Sequence, residues 1–223
     1  MEFTLLWAAL TAVLFAWLGT RIWSDRLPDH ATDRMVGAAA VGLLVGRLVA
    51  MLSQGTNPLT NPGDILIVRG GVHTGAATVG ALGAYLWTSK WKVAYLDATA
   101  PAALMGLAGW HAGCVWRGAC LGSSSSLPWA WAQDGSLITR HPVELYTAVG
   151  LILGAWVVSR LPWRILTKAG SAFAISGLVR LLTEPMRPSI TGGPVGWYVA
   201  AIALGLLAVL LGPRFVRDTD PPT

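Results

Sequence analysis

Long apolar stretches alternate with short polar segments along the chain, and seven of these stretches are predicted to cross a bilayer. A segment surrounded by lipid must satisfy its own backbone hydrogen bonds, so each stretch is predicted to be a helix. The sixth is shorter than the others and polar at its ends. The predicted transmembrane helices cover about residues 5–23, 36–52, 72–88, 93–116, 143–159, 171–183 and 195–211.

The apolar content is too high for a water-soluble domain of 223 residues, since 54% of the chain is hydrophobic and its mean hydropathy is +0.56. The first stretch has no basic segment before it and no small-residue cleavage site, which favours a retained helix over a signal peptide. Small residues such as Gly80-Ala81 and Ala102-Ala103 let helices approach closely. The sequence therefore predicts an all-α polytopic membrane bundle, one domain over residues 1–223 without a separate soluble domain.

The positive charges give the bundle an orientation. Ten of the sixteen Lys and Arg residues, including every lysine, fall in the segments on one side of the predicted helices. By the positive-inside rule this side is cytoplasmic, with the N-terminus outside and the C-terminus inside. The net charge of +5 belongs mainly to these flanking residues, which indicates contact with anionic lipids rather than with nucleic acid.

Six arginines lie away from that cytoplasmic side, either at outer helix ends or within the membrane. An arginine at mid-depth costs about 2.5 kcal/mol or more, so it needs a partner or a polar cavity. Arginine binds carboxylate or phosphate oxygens in pairs, which favours an outward-facing cavity for an anionic headgroup. The alternative is that some are internal struts to Glu144, Glu184, Asp64 or Asp97. The six are Arg47, Arg69, Arg117, Arg140, Arg180 and Arg187.

The richest concentration of reactive side chains lies in residues 104–146, which hold two of the four histidines and both cysteines. Cys114 and Cys120 are six residues apart, which fits no zinc pattern. We expect two separate buried thiols here. A disulfide is the alternative if the region faces an oxidising compartment.

Several motifs together resemble the bacterial prolipoprotein diacylglyceryl transferase family. The segment Arg140-His141-Pro142-Val143-Glu144-Leu145-Tyr146 resembles the family's Arg-His-Pro-x-x-Leu-Tyr motif. In the sixth predicted helix, Arg180, Glu184 and Arg187 resemble its Arg-x-x-x-Glu-x-x-Arg-x-Pro element. Shorter matches follow the family's order: Gly46-Arg47, His73-Thr74-Gly75, Ala100-Pro101-Ala102 and Leu127-Pro128-Trp129.

The resemblance implies transfer of a diacylglyceryl group from phosphatidylglycerol, or another anionic phospholipid, to the lipobox cysteine thiol of a preprolipoprotein. The site would lie in the bacterial plasma membrane and would need no metal or cofactor. The thiol must lose its proton before it attacks, and the departing phosphate must be stabilised. The resemblance assigns the first task to His73 and the second to Arg180, with Glu184 holding Arg180. Its other substrate-binding positions are Arg47, Arg140, Tyr146 and Arg187.

The central segment departs from the family pattern. His111 stands at an arginine position on which the family depends, while Cys114 and Arg117 replace asparagines. The missing arginine is predicted to be replaced by one of two residues. These are His111, which would act in catalysis, and Arg117, which would bind substrate. Two alternatives remain open. One is a related phospholipid-dependent transferase with another acceptor, and the other is a non-catalytic membrane subunit that keeps the fold.

Overall fold

The computed structural model describes residues 4–23, 27–66, 72–117, 120–132, 135–187 and 193–215. The predicted all-helical fold is confirmed, with one short β-hairpin added. The helices are α1 Thr4–Ile22, α2 Ala31–Ser53, α3 Gly63–Leu66, α4 Thr74–Thr88, α5 Ala94–Ala112, α6 Cys114–Arg117, α7 Val143–Arg160, α8 Thr167–Thr183 and α9 Val195–Phe215; a 3₁₀ turn follows α8 at Glu184–Met186.

Each of the seven predicted transmembrane stretches coincides with one long helix. Within the described residues, three helices are long and apolar enough to cross a membrane: Ala31–Ser53, Val143–Arg160 and Val195–Gly212. A shorter apolar helix covers Trp7–Ile22. The chain is thus a membrane protein by the composition of its helices, while the seven-span topology with the N-terminus outside stays a prediction.

The chain forms two compact units. The first comprises Met1–Pro28 with Ala94–Thr223, and the second comprises Asp29–Val93. In the second unit, α2 packs against α4 through small residues, since a side chain added at Gly42 would meet Ala77 and Ala81. The predicted small-residue surfaces are therefore used for close helix packing. The prediction of a single domain over residues 1–223 stays a prediction.

Helix α5 is central in the first unit and packs against α1, α7 and α8. Its contact with α1 is close, because a side chain added at Gly109 would lie 2.6 Å from the Thr11 carbonyl oxygen. Leu104 and Ala108 of α5 form the buried core with Leu151 of α7. Ala172 of α8 belongs to the same core, and α8 packs in turn on α9.

The fourth predicted stretch, residues 93–116, ends earlier than the apolar pattern indicates. Helix α5 stops at Ala112, Gly113 makes a turn, and α6 begins at Cys114. Gly113 is pressed against α1, since a side chain there would lie 2.6 Å from the Ala8 Cα atom. The turn therefore accompanies close packing against α1, and it places His111 and Arg117 on two different helices.

Helix α8 is joined to α5 through a buried carboxylate. The backbone N–H groups of Leu166 and Ala169 donate to the two oxygens of Asp97, at 2.5 and 2.8 Å. The first N–H groups of a helix have no partner within the helix, so an acceptor from elsewhere can satisfy them. Asp97 thus caps α8 from a distant part of the sequence, and it fixes where α8 begins.

A short hairpin connects α6 to α7. Strand β1, Trp131–Ala132, pairs antiparallel with β2, Thr139–Arg140, so that Trp131 lies opposite Arg140. Residues before β1 also bond to the β2 region, with Ser125 N–H donating to the Thr139 carbonyl at 2.9 Å. The Ser123 N–H reaches the Met186 carbonyl at 2.7 Å. The hairpin is therefore held both to itself and to the end of α8.

Candidate functional site

A cavity of about 470 Å³ opens where three helix ends meet. The first turn of α7, the end of α8 with its 3₁₀ turn, and the first turn of α9 contribute to its wall, together with residues just after α6. Five ionisable side chains and one half of a disulfide are among the residues that line it: Glu144, Arg180, Glu184, Arg187, Tyr198 and Cys120.

Glu144 lies at the centre of the buried polar contacts. Its Oε2 atom is 2.5 Å from His111 Nδ1, and Arg187 Nη1 donates to Oε1. A carboxylate only accepts hydrogen bonds, so His111 acts as the donor when Glu144 is ionised. All three side chains are largely buried. Glu144 therefore connects α5 to the segment that follows α8.

Arg187 is held from several directions. Besides Glu144, its Nη2 atom donates to Thr147 Oγ1 at 3.2 Å, and its Nε atom lies 3.5 Å from Glu184 Oε2. Two carboxylates thus neutralise one guanidinium that sits in a mostly buried position. This is the geometry of an internal strut, which was the alternative left open for the arginines on this side.

Arg180 has a different environment. Its Nη2 atom donates to the Tyr198 hydroxyl at 2.8 Å, and its guanidinium carbon lies 5.3 Å from the centre of the Tyr198 ring. The Tyr198 hydroxyl donates in turn to Glu184 Oε2 at 3.2 Å. The guanidinium of arginine has five N–H donors, and the hydrogen bond to Tyr198 uses one of them. Within the described part of the chain, donors of Arg180 are therefore left for an anionic ligand in the cavity.

The predicted motif residues Arg180, Glu184 and Arg187 are therefore brought together, but Glu184 does not hold Arg180 in the manner predicted. The Tyr198 phenol lies between the two side chains, contributed by the first turn of α9. Sequence reasoning missed Tyr198 because it follows Trp197 at the start of an apolar helix, where aromatic residues are common at membrane surfaces. It also missed Thr147, one turn after Val143.

Arg140 and Tyr146 stabilise the hairpin beside the cavity. Arg140 Nη1 donates to the Gly122 carbonyl at 3.2 Å. The Tyr146 hydroxyl accepts from Trp129 Nε1 at 2.8 Å and lies 3.5 Å from His141 Nδ1. These contacts give both residues a bracing function, and their predicted substrate contact stays a prediction.

Four further arginine and histidine positions were singled out in the sequence: Arg117, Arg69, His73 and Arg47. Arg117 ends α6, but its side chain is outside the described residues, as is Arg69. In the second unit, His73 is exposed and caps α4 by accepting from the Ala76 N–H at 3.1 Å. Arg47 is buried there and donates to the Asp64 carbonyl at 3.0 and 2.8 Å. The predicted pairing of His73 with Arg180 in catalysis stays a prediction.

The expectation of two separate thiols is wrong, because Cys114 and Cys120 form a disulfide with Cα atoms 4.9 Å apart. On a continuous helix, six residues would separate these Cα atoms by about 9 Å, beyond the reach of a disulfide. Helix α6 ends at Arg117, so the helical rise does not continue to Cys120 and the two Cα atoms lie close together. The disulfide places Cys120 in the cavity wall.

Comparison with known proteins gives one family over nearly the whole chain. A family model described as prolipoprotein diacylglyceryl transferase matches residues 3–216. A phosphatidylglycerol–prolipoprotein diacylglyceryl transferase of Chlamydia muridarum is 41% identical over 59 residues, 26% of this chain and 22% of that protein.

Two further relatives carrying that description align over longer stretches. The Chlamydia trachomatis protein is 25% identical over 72% of this chain, and this alignment spans 65% of its length. The protein of Rickettsia rickettsii is 29% identical over 94% of this chain and 89% of its own. The chain thus spans less than two thirds of the first two relatives.

Proposed function

The chain belongs to the prolipoprotein diacylglyceryl transferase family, and from this premise we propose that it moves a diacylglyceryl group from phosphatidylglycerol to the lipobox cysteine of a preprolipoprotein. The observation that carries the proposal is Arg180, whose guanidinium lines the cavity with donors left for a phosphate. The relatives' descriptions name both phosphatidylglycerol and prolipoprotein.

In the proposed reaction, the thiolate sulfur attacks the glyceryl carbon that bears the phosphate. A sulfur–carbon bond forms, the carbon–oxygen bond to phosphate breaks, and glycerol phosphate leaves as an anion. Arg180 stabilises the charge that develops on the departing phosphate oxygen. Because a bidentate fork fits phosphate oxygens, arginine suits this task better than lysine.

The buried contacts around Glu144 support Arg180 indirectly. His111 holds Glu144, Glu144 and Glu184 hold Arg187, and Glu184 accepts from the phenol that contacts Arg180. In this proposal His111 replaces the family's arginine as a positioning group at the buried end of the network. His73 remains the base proposed for the thiol proton from the resemblance to the family.

The proposed location is the bacterial plasma membrane, with the cavity open to the outer side. The start of α7, the end of α8 and the start of α9 are all outer ends in the topology predicted from the positive charges. An outer site would meet both phospholipid and an exported preprolipoprotein, and it agrees with a disulfide in the cavity wall.

The test is a transfer assay with purified protein in phosphatidylglycerol-containing nanodiscs and a lipobox peptide, read by mass spectrometry of the thioether product. Arg180→Ala should lose about 10²–10³ in rate, the range for removing one donor to a developing oxyanion. Arg160→Ala is the matched control, because Arg160 stacks on Trp156 at the other end of α7.

Equal rates for Arg180→Ala and wild type would refute the assignment of Arg180. A wild-type protein that binds phosphatidylglycerol but leaves the peptide unmodified would favour the alternative of another acceptor. A protein without lipid turnover would favour the non-catalytic subunit.

A further inference from the structure

The segment between α6 and α7 exposes large apolar side chains although it is not helical. Leu137 is fully exposed at 102%, Trp129 at 55% and Ile138 at 54%. Leu127 and Trp131 are exposed as well. These five residues are called the loop apolar surface below. Clusters of exposed apolar side chains generally mark a surface that is covered in the working molecule.

Hydrogen bonds hold described parts of the backbone that carries this surface. Trp131 belongs to β1, Ile138 directly precedes β2, and the Thr139 hydroxyl donates to the Ser125 carbonyl at 2.5 Å. Trp129 is tied to α7 by the hydrogen bond from its indole N–H to Tyr146. The ring of Trp129 is therefore exposed while its polar atom is satisfied.

The position of the loop along the chain indicates what covers it. Strand β2 ends at Arg140, and α7 begins at Val143 as one of the helices apolar enough to cross a membrane. Three residues span at most about 11 Å, so β2 lies within that distance of the point where α7 begins to cross. Tyr146, which holds Trp129, is in the first turn of that helix.

The composition of the loop fits the boundary between headgroups and acyl chains. Tryptophan is enriched at that depth, and isolated aliphatic side chains there contact acyl chains. Residues 120–142 contain one acid, Asp134, one arginine, Arg140, and one histidine, His141. A loop with so little charge costs little to bring into the headgroup region.

We propose that the loop apolar surface inserts into the lipid leaflet on the side where α7 begins, so that lipid covers these side chains. The inserted loop would hold the cavity wall at Cys120 and Leu121 beside the headgroups. This inference rests on the membrane-crossing character of α7 and is independent of the proposed transferase activity.

The test measures the depth of one nitroxide spin label at Leu137→Cys in the full chain, reconstituted in vesicles of phosphatidylethanolamine and phosphatidylglycerol. The native cysteines form a disulfide, so the label reacts with the introduced thiol. Collision with oxygen, which prefers lipid, is compared with collision with a water-soluble nickel chelate. Leu206→Cys, half-exposed on α9, is the lipid reference, and Asn61→Cys in a polar exposed segment is the aqueous one.

The expected result is that oxygen relaxes the label at residue 137 more than the nickel chelate does, as at residue 206. A label relaxed mainly by nickel would show water at this surface and overturn the proposal. Low access to both reagents would show a protein cover instead, for example a second copy, and would overturn it too. Ile138→Cys provides a second label site, so that one misfolded variant does not decide the outcome.

Discussion

Tyr198→Phe is the sharpest test of how the cavity works, because it removes one oxygen atom and keeps the ring beneath Arg180. The hydroxyl accepts from Arg180 at 2.8 Å and donates to Glu184 at 3.2 Å, and the side chain is 8% exposed. A hydrogen bond to a charged group contributes about 1.5–3 kcal/mol. The stacking of Arg180 on the ring should survive in the variant.

That free energy corresponds to a loss of about 10- to 150-fold in kcat/KM for phosphatidylglycerol, since about 1.4 kcal/mol is a factor of ten. Only one of the two hydrogen bonds is counted, because neighbouring interactions in one network are not additive. The assay is the nanodisc transfer reaction at varied phosphatidylglycerol content. Tyr95→Phe on α5 is the control for a conservative loss of a phenol.

A double-mutant cycle separates positioning of Arg180 from a general effect on folding. If Tyr198 acts through Arg180, Tyr198→Phe should cost much less in an Arg180→Lys background than in wild type. Activity of Tyr198→Phe that is indistinguishable from wild type, or equal losses in both backgrounds, would refute the reasoning.

Three further predictions concern stability, each measured as a thermal unfolding shift in detergent. Cys120→Ser, or reduction by dithiothreitol, should lower the free energy of unfolding by about 2 kcal/mol, because the Cys114–Cys120 disulfide closes a short loop. An unaltered melting temperature under reduction would argue against this disulfide. Gly122→Ala should lower the free energy of unfolding by about 1–3 kcal/mol, because a side chain there meets the Met186 carbonyl. A wild-type melting curve would show that the loop moves to accommodate the added methyl group. His111→Ala should cost about 1.5–3 kcal/mol because Glu144 loses a donor, whereas a stabilised variant would contradict that pairing.

The helices were predictable because apolar length and helix formation are coupled in a membrane. The stretch predicted at 72–88 corresponds to α4 at Thr74–Thr88, and the prediction at 143–159 to α7 at Val143–Arg160. The exception is α5, whose end depends on how closely Gly113 approaches α1. The pattern of apolar residues does not show which positions contact a neighbouring helix. The end of α5 and the Cys114–Cys120 disulfide depend on such contacts, so the sequence alone did not decide them.

The site was predictable in part for the same reason. Arg180, Glu184 and Arg187 are spaced along one helix end, and their clustering follows from helical geometry. The choice of partners does not, since Glu144 comes from α7 and Tyr198 from α9. The partners of each arginine are decided by those tertiary contacts, and the sequence left open whether an arginine is a strut or binds a ligand.

The capping of α8 by Asp97 has a consequence for biosynthesis. Asp97 and Leu166 are separated by 69 positions, so a ribosome adding about 5–20 residues per second needs about 3–14 s to supply the partner of that carboxylate. A nascent chain that ends before Leu166 therefore carries the Asp97 carboxylate in α5 without the backbone amides that satisfy it in the complete fold.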